Sequence, residues 1–292
     1  MSTDSTEQRQ LLLAMDGGPE RTFRVGRAWP AEDGEPGDVT GTMVTGPWLT
    51  GPAGTIPGGT LGVLVDNALA YALLQDRGLD QWSVSAEISV DLCGPVPADG
   101  TPLTVRARRV QFGAKGGLAS GTVTGPDGTV IALCSQHTRW IPAPPFAEDP
   151  DAWAKVHGAA PVPADVVAAS GGPASLTELL GARIRAADGC AVLELPVTGE
   201  LANPLGNLHG GVTFCAVDVA AHAALQSVGG PTSTASVHVA YPRPVSPGTT
   251  ARFEAQVIHS GRSLGLVRIT ALNEAGKPCV VASVTTGPAA AA

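Results

Sequence analysis

The chain has 292 residues, 43% hydrophobic but only 4% aromatic, with 37 Gly and 25 Pro, and its 18 Lys+Arg against 26 Asp+Glu leave a net charge of -8. That length suggests two ordinary domains or one large one. The apolar content excludes wholesale disorder, and Gly plus Pro without a triplet period indicate many turns rather than collagen. An acidic chain without a run of basic residues lacks the footprint for a nucleic-acid backbone or an anionic membrane, so neither partner is expected.

The N-terminal MSTDSTEQRQ lacks a basic segment, and the LLLAM that follows is too short for a secretory signal. No apolar stretch reaches the roughly 20 residues of a membrane span, so a soluble, cytoplasmic protein is expected. Cysteines 93, 134, 190, 215 and 279 are odd in number and widely spaced, with neither a Cys-x-x-Cys pair nor zinc-ligand spacing. They read as reduced structural thiols.

The chain contains its own sequence twice. Residues 54–73, GTIPGGTLGVLVDNALAYAL, align without a gap to 206–225, GNLHGGVTFCAVDVAAHAAL, which sets Gly58 on Gly210, Gly59 on Gly211 and Asp66 on Asp218. The match resumes with AEISVDLCGPV (86–96) opposite ASVHVAYPRPV (235–245), and continues from 105–135 opposite 253–283. Each copy has the size of an ordinary domain. The domains are read as 1–140 and 176–292, with a Pro/Ala/Gly-rich linker over 141–175 that includes a short helix near Asp151 to Val156.

In chain order, the second copy opens with SLTELL (175–180), a capped helical turn. VTFCAVDVAAHAALQS (212–227) is apolar nearly all round and predicts a buried helix. VHVAY, RFEAQVIH, LGLVRITAL and VVASVTT follow as strands separated by SPG, SGRS and NEAG turns. One buried helix followed by turn-connected strands predicts an antiparallel sheet curled around a central helix, an α+β class.

NPLGNLHGG (203–211), followed seven residues later by Asp218 inside an apolar helix, resembles the signature of the hotdog-fold acyl-CoA thioesterases, specifically the phenylacetyl-CoA thioesterase-like branch. The likeness covers nearly all of 176–286 and, more weakly, about 40–140. It implies two tandem hotdog domains paired as an intramolecular pseudo-dimer, their sheets joined edge to edge, with whole chains free to associate into a homo-oligomer. It also implies an acyl-CoA substrate, aliphatic or aromatic, and no cofactor beyond water as co-substrate. Carried over by residue, Asn203 positions a nucleophile or water, His209 orients the thioester, and the N–H of Gly210 polarises its carbonyl. The helix aspartate is the base or nucleophile, helped by a hydroxyl at Thr234. Elementary chemistry fits these roles, because a glycine-rich helix start offers free N–H groups to an oxyanion and a half-buried carboxylate can take a proton from water.

Geometry then assigns the acid. Gly210 and Asp218 stand eight residues apart, about 12 Å along a helix, so one thioester cannot touch both. The acid must come from the other copy. The first copy has Pro57 for His209 and Gly51 or a neighbour for Asn203, but keeps Asp66, and its Ser85 aligns with Thr234. One complete site is therefore expected from Asn203, His209 and Gly210 with Asp66 and Ser85, next to a degenerate one of Gly58, Asp218 and Thr234. Gly211, Arg243, Arg262 and Lys115 are candidates for substrate contacts, the three cations for coenzyme A phosphates. The degenerate copy keeps open a non-catalytic acyl-CoA-binding protein, and hydration of an enoyl thioester is a further alternative. Asp218 and His222, four residues apart, lack the further ligands a metal would need. GRSLG (261–265) fits a nucleophile-elbow pattern, but strands flank it on both sides and it reads as a hairpin turn.

Overall fold

The computed structural model describes residues 18–144 and 175–288, apart from 27, 32–34, 36, 76 and 79. The short helix expected near Asp151 lies outside the described residues. The first copy forms helix α1 (Pro19–Phe23), strands β1 (Trp29–Pro30) and β2 (Val39–Val44), the long helix α2 (Gly62–Leu74), and β3 (Gln81–Leu92), β4 (Pro102–Gly113), β5 (Gly116–Thr124) and β6 (Val130–Pro142). The second forms α3 (Leu176–Leu179), β7 (Arg183–Ala187), β8 (Cys190–Pro196), the long helix α4 (Gly210–Gln226), and β9 (Ser233–Ala240), β10 (Thr250–Ser260), β11 (Gly265–Leu272) and β12 (Pro278–Gly287).

The twelve strands among the described residues belong to one sheet in the order β1-β2-β4-β5-β6-β3-β9-β12-β11-β10-β8-β7. The copies meet edge to edge as antiparallel β3 and β9, where Glu87 pairs with Ala240, Ser89 with His238 and Asp91 with Ser236. This register independently supports the alignment of the repeat. Ser89 and His238 are equivalent in the two copies and face each other, with Ser89 Oγ 2.7 Å from His238 Nδ1, so a pseudo-two-fold axis passes between them. The joint removes an unpaired edge from each copy. Ile88, Val90, Val237 and Val239 alternate into the core beneath the long helices.

Both long helices are buried almost completely because their sequences have no polar face. Their starts differ. His209 caps α4, its Nδ1 accepting from the N–H of Gly211, so the chain is α-helical from Gly210. Pro57 has no such acceptor, and the equivalent segment Gly58–Leu61 winds as a tighter 3₁₀ turn before α2 begins at Gly62. The predicted cap at Ser175 is present, its side chain accepting from the N–H of Glu178 at 3.3 Å. The β7–β8 hairpin has no repeat partner in the quoted alignment and was not anticipated.

The two helices touch backbone to backbone. A Cβ on Gly62 would stand 2.3 Å from the carbonyl oxygen of Gly211, and one on Gly211 would stand 2.5 Å from the Gly62 carbonyl and Val63 Cα. No rotamer change relieves a backbone clash. Gly211→Ala should therefore cost about 3 kcal/mol, the upper end for overpacking, whereas Gly199→Ala, where nothing lies within 4 Å, should stay within about 0.5 kcal/mol. Urea-unfolding midpoints of the two variants check this.

Candidate active site

Crossing the helices brings each aspartate to the other helix's start. Asp66, one turn into α2, accepts from the N–H of Gly211 at 2.9 Å through Oδ2. Its Oδ1 accepts from Ser85 Oγ at 2.7 Å and from Gln136 Nε2 at 2.9 Å. The same Gln136 nitrogen lies 2.8 Å from Ser85 Oγ, which closes a three-membered network. A bulge in β3 between Ser85 and Glu87 aims Ser85 at Asp66 while Ile88 and Val90 keep facing the core.

The second copy surrounds this carboxylate. Gly210 is so close that a Cβ there would stand 2.6 Å from Asp66 Oδ2 and 3.4 Å from Ser85 Oγ. As the first residue of α4 its N–H has no acceptor within the helix. His209 Nδ1 accepts from the N–H of Gly211 and lies 3.4 Å from Asp66 Oδ2. Asn203 uses its Oδ1 on its own loop, accepting from the N–H groups of Leu205 and Asn207 at 3.0 and 3.1 Å. Tyr241, which the sequence reading passed over, donates from its hydroxyl to the Gly210 carbonyl at 2.9 Å. Burial, reinforced by the nearby Asp66, pushes this phenol well above its ordinary range, so it remains a donor at neutral pH.

A cavity of about 880 Å³ opens on the cluster, lined by Asp66, Ser85, Asn203, His209, Gly210, Tyr241 and Arg243 among others. Five expected residues of the complete site, Asp66, Ser85, Asn203, His209 and Gly210, therefore come together on one cavity. Of the substrate-contact candidates, Arg243 lines it and also donates to the Pro278 carbonyl. Gly211 has its N–H on Asp66, so that group is a cap rather than a free donor to substrate. Lys115 and Arg262 sit in the β4–β5 and β10–β11 hairpins, outside the lining, whereas Arg139 on β6 is part of it. Gln136 was missed because its partner in the repeat, Val284, is apolar and nothing in its surroundings is a motif.

The pseudo-symmetric site is built on the same plan. Asp218 Oδ2 accepts from the N–H of Gly59 and from Thr234 Oγ1, both at 2.8 Å. His222 Nε2 lies 2.9 Å from Thr234 Oγ1 and 3.5 Å from Asp218 Oδ1, taking the place that Gln136 Nε2 holds in the first site. The Gly58 N–H, counterpart of that of Gly210, is already used by Thr234 at 3.1 Å. Leu92 stands where the other site has Tyr241, with its side chain 2.8 Å from the place a Gly58 Cβ would occupy. Asp218 is 0% and His222 1% exposed.

Two family models match the chain. The acyl-CoA thioesterase C-terminal domain matches residues 6–140, and the acyl-CoA thioesterase N-terminal domain matches residues 200–287. Among solved structures, a protein of Lactobacillus plantarum assigned as an oleoyl thioesterase is similar with TM-score 0.59 at 12% identity, over 87% of this chain and 97% of that one. The tesB protein of Mycobacterium avium subs paratuberculosis gives 0.58 at 12% identity, over 85% and 92%. The 12:0-ACP thioesterase of Umbellularia californica gives 0.56 at 13%, over 86% and 94%. At these identities the structures share the fold, the hotdog fold of thioesterases. No curated protein matches the chain in sequence. The two family models, on this fold, make the chain a thioester hydrolase. The chain belongs to the acyl-CoA thioesterase family.

Gly210→Ala should test the closeness of the two copies, since its methyl group would press on Asp66 Oδ2. A loss of thioester hydrolysis of about 100-fold or more, the scale for a displaced general base, is expected with an unchanged circular-dichroism spectrum.

Proposed function

We propose that the chain is a tandem hotdog protein, residues 1–140 and 176–292 forming an intramolecular pseudo-dimer, that hydrolyses acyl-CoA at the single composite site around Asp66. The observation that carries this reading is the placement of Asp66 of the first copy against Gly210 of the second on an open cavity.

In this reading the thioester carbonyl oxygen lies at the Gly210 N–H, with the His209 Nε2–H beside it. The positive end of α4 adds to both donors. A carboxylate offers about four lone-pair sites, and Gly211, Ser85 and Gln136 occupy three of them. The remaining one takes the proton of a water as that water's oxygen bonds to the carbonyl carbon. The C–O double bond becomes an oxyanion at Gly210, and its collapse breaks the C–S bond. The leaving sulfur takes the proton back from Asp66, giving a free acid and coenzyme A. Ser85 and Gln136 hold the carboxylate in line and Tyr241 holds the Gly210 peptide, so neither end of the reacting geometry has to reorganise. Arg243, at the cavity wall, supplies positive charge for coenzyme A phosphates. No step calls for a metal or an organic cofactor.

The site around Asp218 is assigned no turnover. Its Gly58 N–H donates to the Thr234 oxygen and the Thr234 hydroxyl donates to Asp218, so neither is free for a substrate carbonyl.

Thiol release from a panel of acyl-CoAs tests the proposal, and release from none of them would overturn it. Asp66→Asn should lower kcat by about 100-fold or more, the scale for a lost general base, with KM little changed. Asp218→Asn should leave kcat within about tenfold but reduce stability by about 1–3 kcal/mol, because it disrupts a buried hydrogen-bonded carboxylate. Full activity in Asp66→Asn would end the shared-site assignment.

A further inference from the structure

The cavity does not stop at the carboxylate. Asp66, Ala70 and Leu74 all line it, and their i, i+4, i+8 spacing places them on one face of α2, so one wall runs about 12 Å from the reacting centre. Trp82, Val84 and Ile141 also line the cavity, with the exposed Arg139 beside Val84 at its rim. The far end is marked by Trp82. Its ring lies 5.5 Å from the guanidinium of Arg77, three residues past the end of α2. Trp82 is 4% and Leu74 5% exposed, so the arm ends against buried side chains. On the other side of Asp66 the lining turns to Asn203, Asn207, Pro242 and Arg243, which suits a polar, charged moiety.

The second copy shows what controls this arm. The residue equivalent to Ala70 is His222, and there the imidazole occupies the space beside the aspartate. Ala70 carries no such side chain: in the first site the nitrogen beside the aspartate comes from Gln136 on β6, and the flank of α2 at Ala70 stays on the cavity.

Resting on the thioesterase reading above, we infer that the α2 arm is the acyl chamber and that Ala70 and Trp82 set its length, selecting unbranched medium-chain acyl groups of about eight to ten carbons. The length follows from 12 Å at about 1.3 Å per methylene, the projection of a C–C single bond in an extended chain. Each methylene buried contributes about 0.8 kcal/mol, or about fourfold in kcat/KM, until the chain meets the indole. An arylacetyl group would leave the end of the arm unfilled.

The test is kcat/KM for saturated acyl-CoAs from four to sixteen carbons and for phenylacetyl-CoA, on the wild type, Trp82→Ala and Ala70→Val. The expected wild-type profile climbs about fourfold per methylene and turns over near ten carbons. Trp82→Ala should move the maximum to longer chains. Ala70→Val, whose added methyl groups enter existing space halfway along the arm, should lower the ten-carbon to four-carbon ratio at least tenfold, and it keeps the question open to measurement if removal of the buried indole prevents folding. A flat profile, a maximum beyond fourteen carbons, a higher value for phenylacetyl-CoA, or an unchanged ratio in Ala70→Val would overturn the inference. Thiol release from no substrate at all would instead overturn the thioesterase reading.

Discussion

A buried helix start must find acceptors for its first N–H groups, and a buried carboxylate must find donors. Here each helix solves the other's problem. Asp66 on α2 accepts from Gly211 at the head of α4, and Asp218 on α4 accepts from Gly59 at the head of the α2 segment. The exchange works only at contact distance, which is why glycine stands at 59, 62, 210 and 211 and why a Cβ at any of them would meet the opposing helix or its aspartate. The continuous sheet through β3 and β9 sets the helices at this crossing. The same approach that satisfies the helix ends puts a carboxylate beside an unused N–H, so the arrangement that stabilises the pair of copies also makes a place for chemistry.

This double duty explains which residues the second site kept and which it lost. Asp218, Gly59 and Thr234 satisfy one another in the core, and removing any one would leave a buried polar group without its partner. Several of the residues that differ face the cavity in the first site. Asn203, His209, Tyr241 and Arg243 correspond to Gly51, Pro57, Leu92 and Gly94 in the repeat. Even the loops retain their shape. Gly51 N–H donates to the Thr55 carbonyl as Asn203 N–H donates to that of Asn207, and Gly54 and Gly206 share a positive φ near +80°. These positions differ while the loop shape stays the same, whereas the reciprocal caps of Asp66 and Asp218 are present in both copies.

Much of this was legible in the sequence because a gapless repeat carries geometric information. Once Gly58 is set on Gly210 and Asp66 on Asp218, the length of a helix alone sends each aspartate to the partner copy's glycines, and Asp66 does lie against Gly210. The periodicity of VTFCAVDVAAHAALQS and the turn residues between the C-terminal strands likewise marked α4 and β9 to β12. Three features were not legible. Gln136 reaches Asp66 from a strand 70 residues away, and its position is decided by the β3–β6 register rather than by any local pattern. Tyr241 acts through its contact with a backbone carbonyl, which leaves no trace in residue spacing. Lys115 and Arg262 were grouped with Arg243 by charge alone, and the hairpins that hold them leave both outside the cavity lining.

The two sites differ most in the direction from which their third polar group arrives. Asp66 and Ser85 are joined by an amide from strand β6, which approaches from the sheet and leaves the next turn of α2 occupied only by Ala70. Asp218 and Thr234 are joined by an imidazole from that very turn of α4. The amide bonds both the Asp66 carboxylate and the Ser85 hydroxyl, whereas the imidazole bonds the Thr234 hydroxyl and leaves Asp218 Oδ1 without a hydrogen bond. The consequences for space are opposite. A donor supplied by the sheet leaves the flank of the helix free for a ligand to lie along, and a donor supplied by the helix fills that flank with its own side chain. Two nearly symmetric clusters of Asp, hydroxyl and nitrogen donor thus separate into a site with an approach and a packed core feature, and the difference is which element carries the nitrogen.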